Sequence, residues 1–488
     1  MPAPQDCVQA LAPRPLAPLP TPAPAAPLAI THASQLFVDD HLIAARHTAH
    51  RRLNRPRKAG APIVVADRPW ESTGVLYGTV LEQGGEYWLY YKGRYWTLGA
   101  NALNDADYRR QHGYGKYPIC LARGHTPLAF HKEPPPGAAV PGTNIIIDDN
   151  VDCFGVLRDD AATDPAQRFK LIGCFGPGWS EGLTTGTSPD GVRWTLGPRH
   201  QLTFLGDRCA YWYDPNRRVH VAWSRNWHLF PSRVVVHKET ADFARWDDPR
   251  AAEPRLVMQP DRLDHPTTQF YGAYAFWYQS VYLAYLEVYY IAQQRLDTQL
   301  CCSRDGINWQ RLCDHDCFIP CGEHGEFDAY WTVPTFNPPI PHDGELIIHY
   351  NGRPDPHRDT TFSHLPPGMG GAFGLTRLRE DGFVSLDATG TEGVVETKAL
   401  QLPAARAAVE VNVCPFNMRP GFDPMGVTVE VLDGAGATVL AAWALRAPAD
   451  GPPPVWYRAP LAAPLPDVVR LRFRLRNARL YSFRIAAS

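Results

Sequence analysis

Ser303-Arg304-Asp305-Gly306-Ile307-Asn308-Trp309 is one of two near-identical heptads, the other being Ser188-Pro189-Asp190-Gly191-Val192-Arg193-Trp194. Looser copies occupy residues 239–246 and 123–130, and a fifth is Arg379-Glu380-Asp381-Gly382-Phe383. Each follows a short β-prone run, such as Gln299-Leu300-Cys301-Cys302 or Phe373-Gly374-Leu375-Thr376. Asp-Gly between two such runs predicts a two-residue hairpin turn, because that turn needs positive φ at its centre. The trailing Trp or Phe is expected to pack between neighbouring units. A hairpin that returns in a fixed pattern marks a repeat architecture, and β-hairpins repeated in this way mark a propeller.

A second series supports the count of five. Apolar, aromatic-rich segments at 74–94, 151–175, 208–225, 270–290 and 330–350 interleave with the heptads. Most carry turn residues near the middle, such as Gln83-Gly84-Gly85, Asp214-Pro215-Asn216 and His342-Asp343-Gly344. Two hairpins make one four-stranded blade, so five blades are expected.

The chain has 488 residues, 48 basic against 50 acidic, and a formal charge of −2, which gives no electrostatic reason to expect nucleic acid or an anionic membrane. No apolar run reaches the roughly 18 residues that span a bilayer. Residues 1–30 are rich in Pro and Ala without the basic start and apolar core of a secretory signal, and read as a flexible tail. With no signal visible, and 11 Cys in no small-domain framework, the cytoplasm is the expected compartment. Cys313, Cys317 and Cys321, with His315 and His324 nearby, match paired zinc knuckles poorly. Neither metal nor cofactor is expected.

Gln35-Leu36-Phe37-Val38-Asp39-Asp40 opens the folded part, and an N-terminal strand is expected to complete the last blade, because closure removes exposed edges. From about Glu392 the texture changes. Val469-Arg470-Leu471-Arg472-Phe473-Arg474-Leu475 alternates apolar with basic, a strand with one face in a core and one in water. The reading is all-β: a tail at 1–30, a five-bladed β-propeller at 31–391 and a C-terminal β-sandwich at 392–488.

This order resembles glycoside hydrolase family 32 and its relatives, and more closely a bacterial group often labelled family-32-like. The resemblance rests on Leu36-Phe37-Val38-Asp39-Asp40-His41-Leu42-Ile43, Pro69-Trp70-Glu71 with Tyr77-Gly78-Thr79-Val80, the two heptads, Asp381-Gly382-Phe383-Val384-Ser385-Leu386-Asp387 and Leu475-Arg476-Asn477-Ala478-Arg479-Leu480-Tyr481-Ser482-Phe483. It implies a carbohydrate or a glycosylated small molecule as partner. The chain has no Trp-Met-Asn-Asp-Pro-Asn-Gly, no Arg-Asp-Pro and no Glu-Cys, so no catalytic residue carries over from family 32.

The site is therefore read from propeller geometry, in which the ends of the innermost hairpins ring one mouth of a central channel. Those positions hold Glu71, Arg94, Asp152, Asp207, Arg225, His228, Gln269, Glu287, Glu326, Asp328, Asn351 and Arg353. Glu287 interrupts the apolar run from Tyr282 to Tyr290, and a buried carboxylate is costly unless it is paired or its pKa rises. A glycosidase needs one proton donor and one base or nucleophile. Glu287 is assigned the donor, Asp152 or Asp207 the base or nucleophile. Glu71, Arg94, Trp96, Arg225, His228, Asp328, Asn351 and Arg353 are assigned to substrate, with Tyr95, Trp179, Trp227 and Trp331 as further stacking surfaces. Two rivals stay open: a non-hydrolytic enzyme, such as a phosphorylase or biosynthetic tailoring enzyme, and a non-catalytic glycan-binding propeller.

Overall fold

The computed structural model describes residues 26–94, 117–176, 181–226, 232–246, 254–357, 370–416, 425–446, 453–461 and 465–487. Among them the chain is all-β, with no α-helix and only three-residue 3-10 turns, so no described helix is long and apolar enough to cross a membrane.

The larger body contains sheets of five, five, four and ten strands. The first is built on Val75–Gln83, Glu86–Gly93 and Ile119–Thr126, the second on Val151–Arg158, Phe169–Phe175 and Gly182–Ser188. The third runs Cys209–Asp214, Val219–Asn226, Val234–Thr240, Arg255–Met258. The ten-stranded sheet is two antiparallel meanders, Thr268–Tyr278, Val281–Tyr290, Arg295–Ser303 and Trp331–Pro334, Glu345–Arg353, Ala372–Arg379, joined by one parallel bridge, Leu296 to Trp331. The last meander meets the first sheet: Asn351 Nδ2 donates to the Val75 carbonyl at 3.1 Å and the Phe336 N–H to that of Gly78 at 2.8 Å.

The heptads correct the two-residue turn. Cys302 pairs with Gln310, and Thr187 with Thr195, so each heptad is a seven-residue loop. Asp305 Oδ1 accepts from the N–H groups of Ile307 and Asn308, both at 2.8 Å, and Ser303 Oγ from that of Gly306 at 2.9 Å. Side-chain oxygens thus do the work of a backbone turn, and only the glycine needs positive φ, 72° at Gly306 and 77° at Gly191. The tryptophans do pack between units. Trp309 lies 5.1 Å from Trp223 of the preceding sheet, and Trp194 lies 6.5 Å from Tyr90. The fifth copy makes no turn within its sheet: buried Asp381 accepts from Tyr278 and Ser482 hydroxyls at 2.8 and 2.6 Å, and the chain leaves for the second body.

That second body is a seven-stranded sheet and a six-stranded sheet around one apolar core, which includes Phe37, Leu386, Val411, Val429, Leu471, Phe473 and Phe483. Val468–Arg476 keeps its expected alternation, with Val469, Leu471, Phe473 and Leu475 buried and Arg470, Arg472 and Arg474 paired to Glu396, Glu430 and Glu392.

Its membership corrects the domain boundaries. Leu28–Ala29 pairs in parallel with Leu400–Gln401, and Ile30 is buried beside them, so the tail does not extend to residue 30; residues 1–25 lie outside the described residues. Gln35–Leu36 pairs with Phe483 and Ser482, and His50–Leu53 with Val384–Ala388. Phe37 and Leu42 are apolar enough to be drawn into the second core, which the C-terminal strands alone do not fill. The strand that edges the last meander is instead Arg57–Lys58, paired with Thr376 and Arg377.

Candidate active site

Three β-bulges bring one group of side chains together. In the first sheet Leu76 faces Lys92 and Gly78 faces Tyr91, which leaves Tyr77 as an extra residue. Strand Val151–Arg158 slips between Val151 and Phe154, at Asp152 and Cys153, and Thr268–Tyr278 slips between Phe270 and Gly272, at Tyr271. A bulge bends its strand and re-aims the side chain it carries. Tyr77 also holds φ at 38°, a strained value for an aromatic residue that its surroundings must enforce.

Around these residues the sheets converge. Lys92 Nζ lies 4.6 Å from the Tyr77 ring centre and the Arg208 guanidinium 4.0 Å from it. Trp331 is 6.4 Å from Tyr77 and 5.5 Å from Tyr271, centre to centre. His357 stacks on Trp331 at 5.5 Å, with Nε2 3.0 Å from the Tyr271 hydroxyl. The Arg225 guanidinium sits 4.2 Å from the Tyr271 ring, and that of Arg353 4.6 Å from the Trp331 ring.

Two carboxylates in this cluster keep contact with water. Asp152 has 22% of its side chain exposed and takes Lys92 Nζ at 2.9 Å; Asp207 has 26% exposed and is paired with Arg225 Nη2. The Cys153 thiol donates to the Asp207 carbonyl at 2.8 Å, which ties the two acids' segments together. Burial pushes the Asp152 carboxyl up, but Lys92, with Arg225 and Arg94 beyond it, holds it below its ordinary value. Burial lowers Lys92, with Asp152 opposing and Arg94 adding to the effect. Burial and then Arg94 bring Arg353 down to about 10.

Glu287, assigned from sequence as proton donor, is not free for that role. It is 1% exposed, and Arg208 takes both its oxygens, Nε to Oε2 at 2.8 Å and Nη2 to Oε1, leaving none to deliver a proton. Glu71 is fully buried on Lys132 at 2.6 Å, the Tyr91 hydroxyl and the N–H groups of Asp67 and Arg68. Asp328 is 2% exposed and is held by Lys58 at 2.6 Å and Tyr350 at 2.8 Å. Asn351 stitches Val75 to Ala372. These three brace the frame rather than meet a ligand. Of the arginines assigned to substrate, Arg225 pairs with Asp207, Arg225 and Arg94 act on Asp152, and Arg353 lies over the Trp331 ring. Gln269 accepts from Arg233, Glu326 is exposed and caps the Glu323 N–H, and Trp96 and His228 lie outside the described residues, as do Tyr95, Trp179 and Trp227.

Tyr77, Lys92, Arg208, Tyr271 and His357 were missed. A signal existed for three of them. Lys92 is a lone charge after Leu89-Tyr90-Tyr91, the criterion that singled out Glu287. Tyr77-Gly78 and Tyr271-Gly272 repeat a Tyr-Gly pair inside a strand, where glycine marks a bulge or a close approach. A Cβ at Gly272 would fall 2.7 Å from Glu287 Oε2.

Cys317 and Cys321 donate their thiols to the carbonyls of Thr298 and Leu296, and burial pushes Cys321 up to about 11. Among the described residues, Asp261, Asp264 and His315 could share a metal ion, but Arg311 already takes both Asp264 oxygens at 2.5 and 2.8 Å.

No family model and no curated protein matches this chain. It is similar to solved structures that include one named "Glycoside hydrolase", at 13% identity over 67% of this chain and 92% of that one, with a TM-score of 0.45. The catalytic domain of a Coprinopsis cinerea GH62 alpha-L-arabinofuranosidase is 12% identical over 67% and 97%, with a TM-score of 0.43. A thermostable family-43 glycoside hydrolase is 10% identical over 69% and 96%, with a TM-score of 0.41.

Proposed function

We propose that the larger body is a five-bladed β-propeller, the smaller a β-sandwich, and that the chain acts on a glycosidic bond at the propeller mouth. Division of the ten-stranded sheet at its single bridge, and the hydrogen bonds from the last meander to the first sheet, support the five blades. The observation that carries the function is the pair Asp152 and Asp207: carboxylates from consecutive units with about a quarter of each side chain exposed, each held by a buried cation, beside Tyr77, Tyr271 and Trp331. Hydrolysis forms a bond from water oxygen to the anomeric carbon and breaks the glycosidic C–O bond, whose oxygen takes a proton. Asp152, kept ionised by Lys92, is the base that takes the attacking water's proton or the nucleophile, and Asp207, in its protonated form, is the second carboxylate that gives the leaving oxygen its proton.

A screen of aryl glycosides and oligosaccharides, with and without phosphate, tests this. On a substrate so found, Asp152→Asn and Asp207→Asn should each reduce kcat at least about 100-fold, the scale of general acid–base catalysis. Losses within about tenfold for both would exclude the pair. The cations around Asp207 favour one second reading, phosphorolysis. Turnover that requires phosphate and releases a sugar phosphate would establish it in place of hydrolysis.

A further inference from the structure

A cleft of about 500 Å³ lies where the two bodies meet, lined by Arg52, Arg55, Arg57, Arg377, Arg379 and Arg479. Arg52 and Arg479 come from strands of the smaller body, Arg57, Arg377 and Arg379 from paired strands of the larger. Register sets like charges together: Arg57 stands directly opposite Arg377, an arrangement that costs stability, and Arg379, two residues on, points to the same face. Among the described residues, the carboxylates that line the cleft or pair with its arginines are Asp316, Glu345 and Asp387. Glu345 is shared between Arg57 at 3.6 Å and Arg377 at 3.1 Å, and Asp387 lies 3.6 Å from Arg479. Arg55 and Arg379 donate to neutral acceptors, the Cys317 carbonyl at 3.0 Å and Asn412 Oδ1 at 2.8 Å.

Six guanidinium groups thus face three carboxylates, in a chain whose formal charge is −2, so the basic excess is local. A cleft walled by two protein bodies focuses that field, and an anion entering it would relieve the repulsion. Its volume suits a small ligand rather than a polymer groove. Arg52 and Arg55 are exposed, as is 72% of the Arg57 side chain, so their donors can turn to a ligand. Arginine meets the paired oxygens of phosphate or carboxylate with two parallel N–H groups. The place is remote from the mouth: Arg379 ends the strand that Ala372 opens beside Gly352, which is roughly 23 Å at about 3.3 Å per residue.

We propose that this cleft binds a small polyanion, one that carries several phosphate or carboxylate groups and touches both bodies at once. Isothermal titration of the full chain at constant ionic strength tests this, with tripolyphosphate, trigalacturonate, inorganic phosphate and neutral maltotriose as probes. Tripolyphosphate or trigalacturonate should bind at least ten-fold more tightly than inorganic phosphate and than maltotriose, and which of them does so distinguishes a phosphate source from an acidic sugar. Arg52→Gln and Arg57→Gln, one exposed arginine from each body, should each weaken that binding at least three-fold and together at least ten-fold, with the melting temperature of the unliganded protein little changed. Arg168→Gln, a half-exposed arginine of the second unit, should leave it unchanged. Three results would overturn the proposal: polyanions that bind no better than phosphate, full binding in the double variant, or an equal loss in Arg168→Gln, which would mark diffuse attraction to the surface.

Discussion

Lys92 and Asp152 show how one buried charge sets another's chemistry. Lys92 is 3% exposed, lies over the Tyr77 and Tyr117 rings and gives its proton-bearing end to Asp152. An opposite charge at that range lowers a carboxyl by about 1–3 units, enough here to outweigh burial. Because the folded carboxyl is depressed below 3.8, the base form persists to lower pH than in a free aspartate. The acid limb of kcat/KM on any substrate found should therefore lie below that value, and Lys92→Met should move it up by about one unit or more. A pH–rate profile whose limb stays put in Lys92→Met would show that another group carries the limb. Glu287 follows the same electrostatics to the opposite end. Its partner Arg208 is 2% exposed and clamps both oxygens, so the pair holds neighbouring strands in place and offers no reactive oxygen.

At the scale of elements, the seven-residue loops and the bulges divide the labour. The loops are local devices, one serine, one aspartate and one glycine satisfying their own backbone, and each offers a tryptophan to the preceding unit. Two glycines with nearly the same φ separate backbone strain from packing. At Gly191 a Cβ would fall 2.5 Å from the Tyr90 hydroxyl and 3.1 Å from the Phe169 ring, while at Gly306 the nearest atom is 3.2 Å away. Gly306→Ala should cost about 1 kcal/mol, mainly from positive φ, and Gly191→Ala about 1–3 kcal/mol more from overpacking. Denaturant unfolding of both variants measures the difference. Equal costs would mean that the Tyr90 side of the loop yields freely.

For the whole molecule, the second body is built from both ends of the chain. Leu28–Ala29, Gln35–Leu36, Ile43–His47 and His50–Leu53 reach it before the larger body begins, and Val384–Ala388 after that body ends. A chain cut after residue 391, where the composition changes, keeps Phe37, Leu42 and Leu386 but loses Val411, Val429, Leu471, Phe473 and Phe483 packed with them. Exposed apolar surface of that extent drives association, so the truncated chain should be insoluble or lack a cooperative melt. A soluble monomer with a sharp transition, seen by gel filtration and calorimetry, would show that the larger body stands alone.

What the sequence determined by itself was what repeats or alternates within a few residues. The all-β class, the Asp-Gly loops with their inter-unit tryptophans, and the strand from Val468 to Arg476 were all legible, because turn chemistry and period-two burial are local properties. Asp152, Asp207 and the arginines at 94, 225 and 353 were legible as strand-end charges. Tertiary structure alone decided which charges pair. Nothing near Glu287 in sequence announces Arg208, 79 residues away, or near Glu71 announces Lys132, 61 residues away. It also decided register, where one extra residue at Tyr77, Asp152–Cys153 and Tyr271 turns a side chain from one face of a sheet to another. And it decided the partner of Gln35–Leu36, found at Ser482 and Phe483. An apolar strand states in its own residues that it must be buried, but the core that receives it is set by whichever part of the fold still has apolar surface to cover.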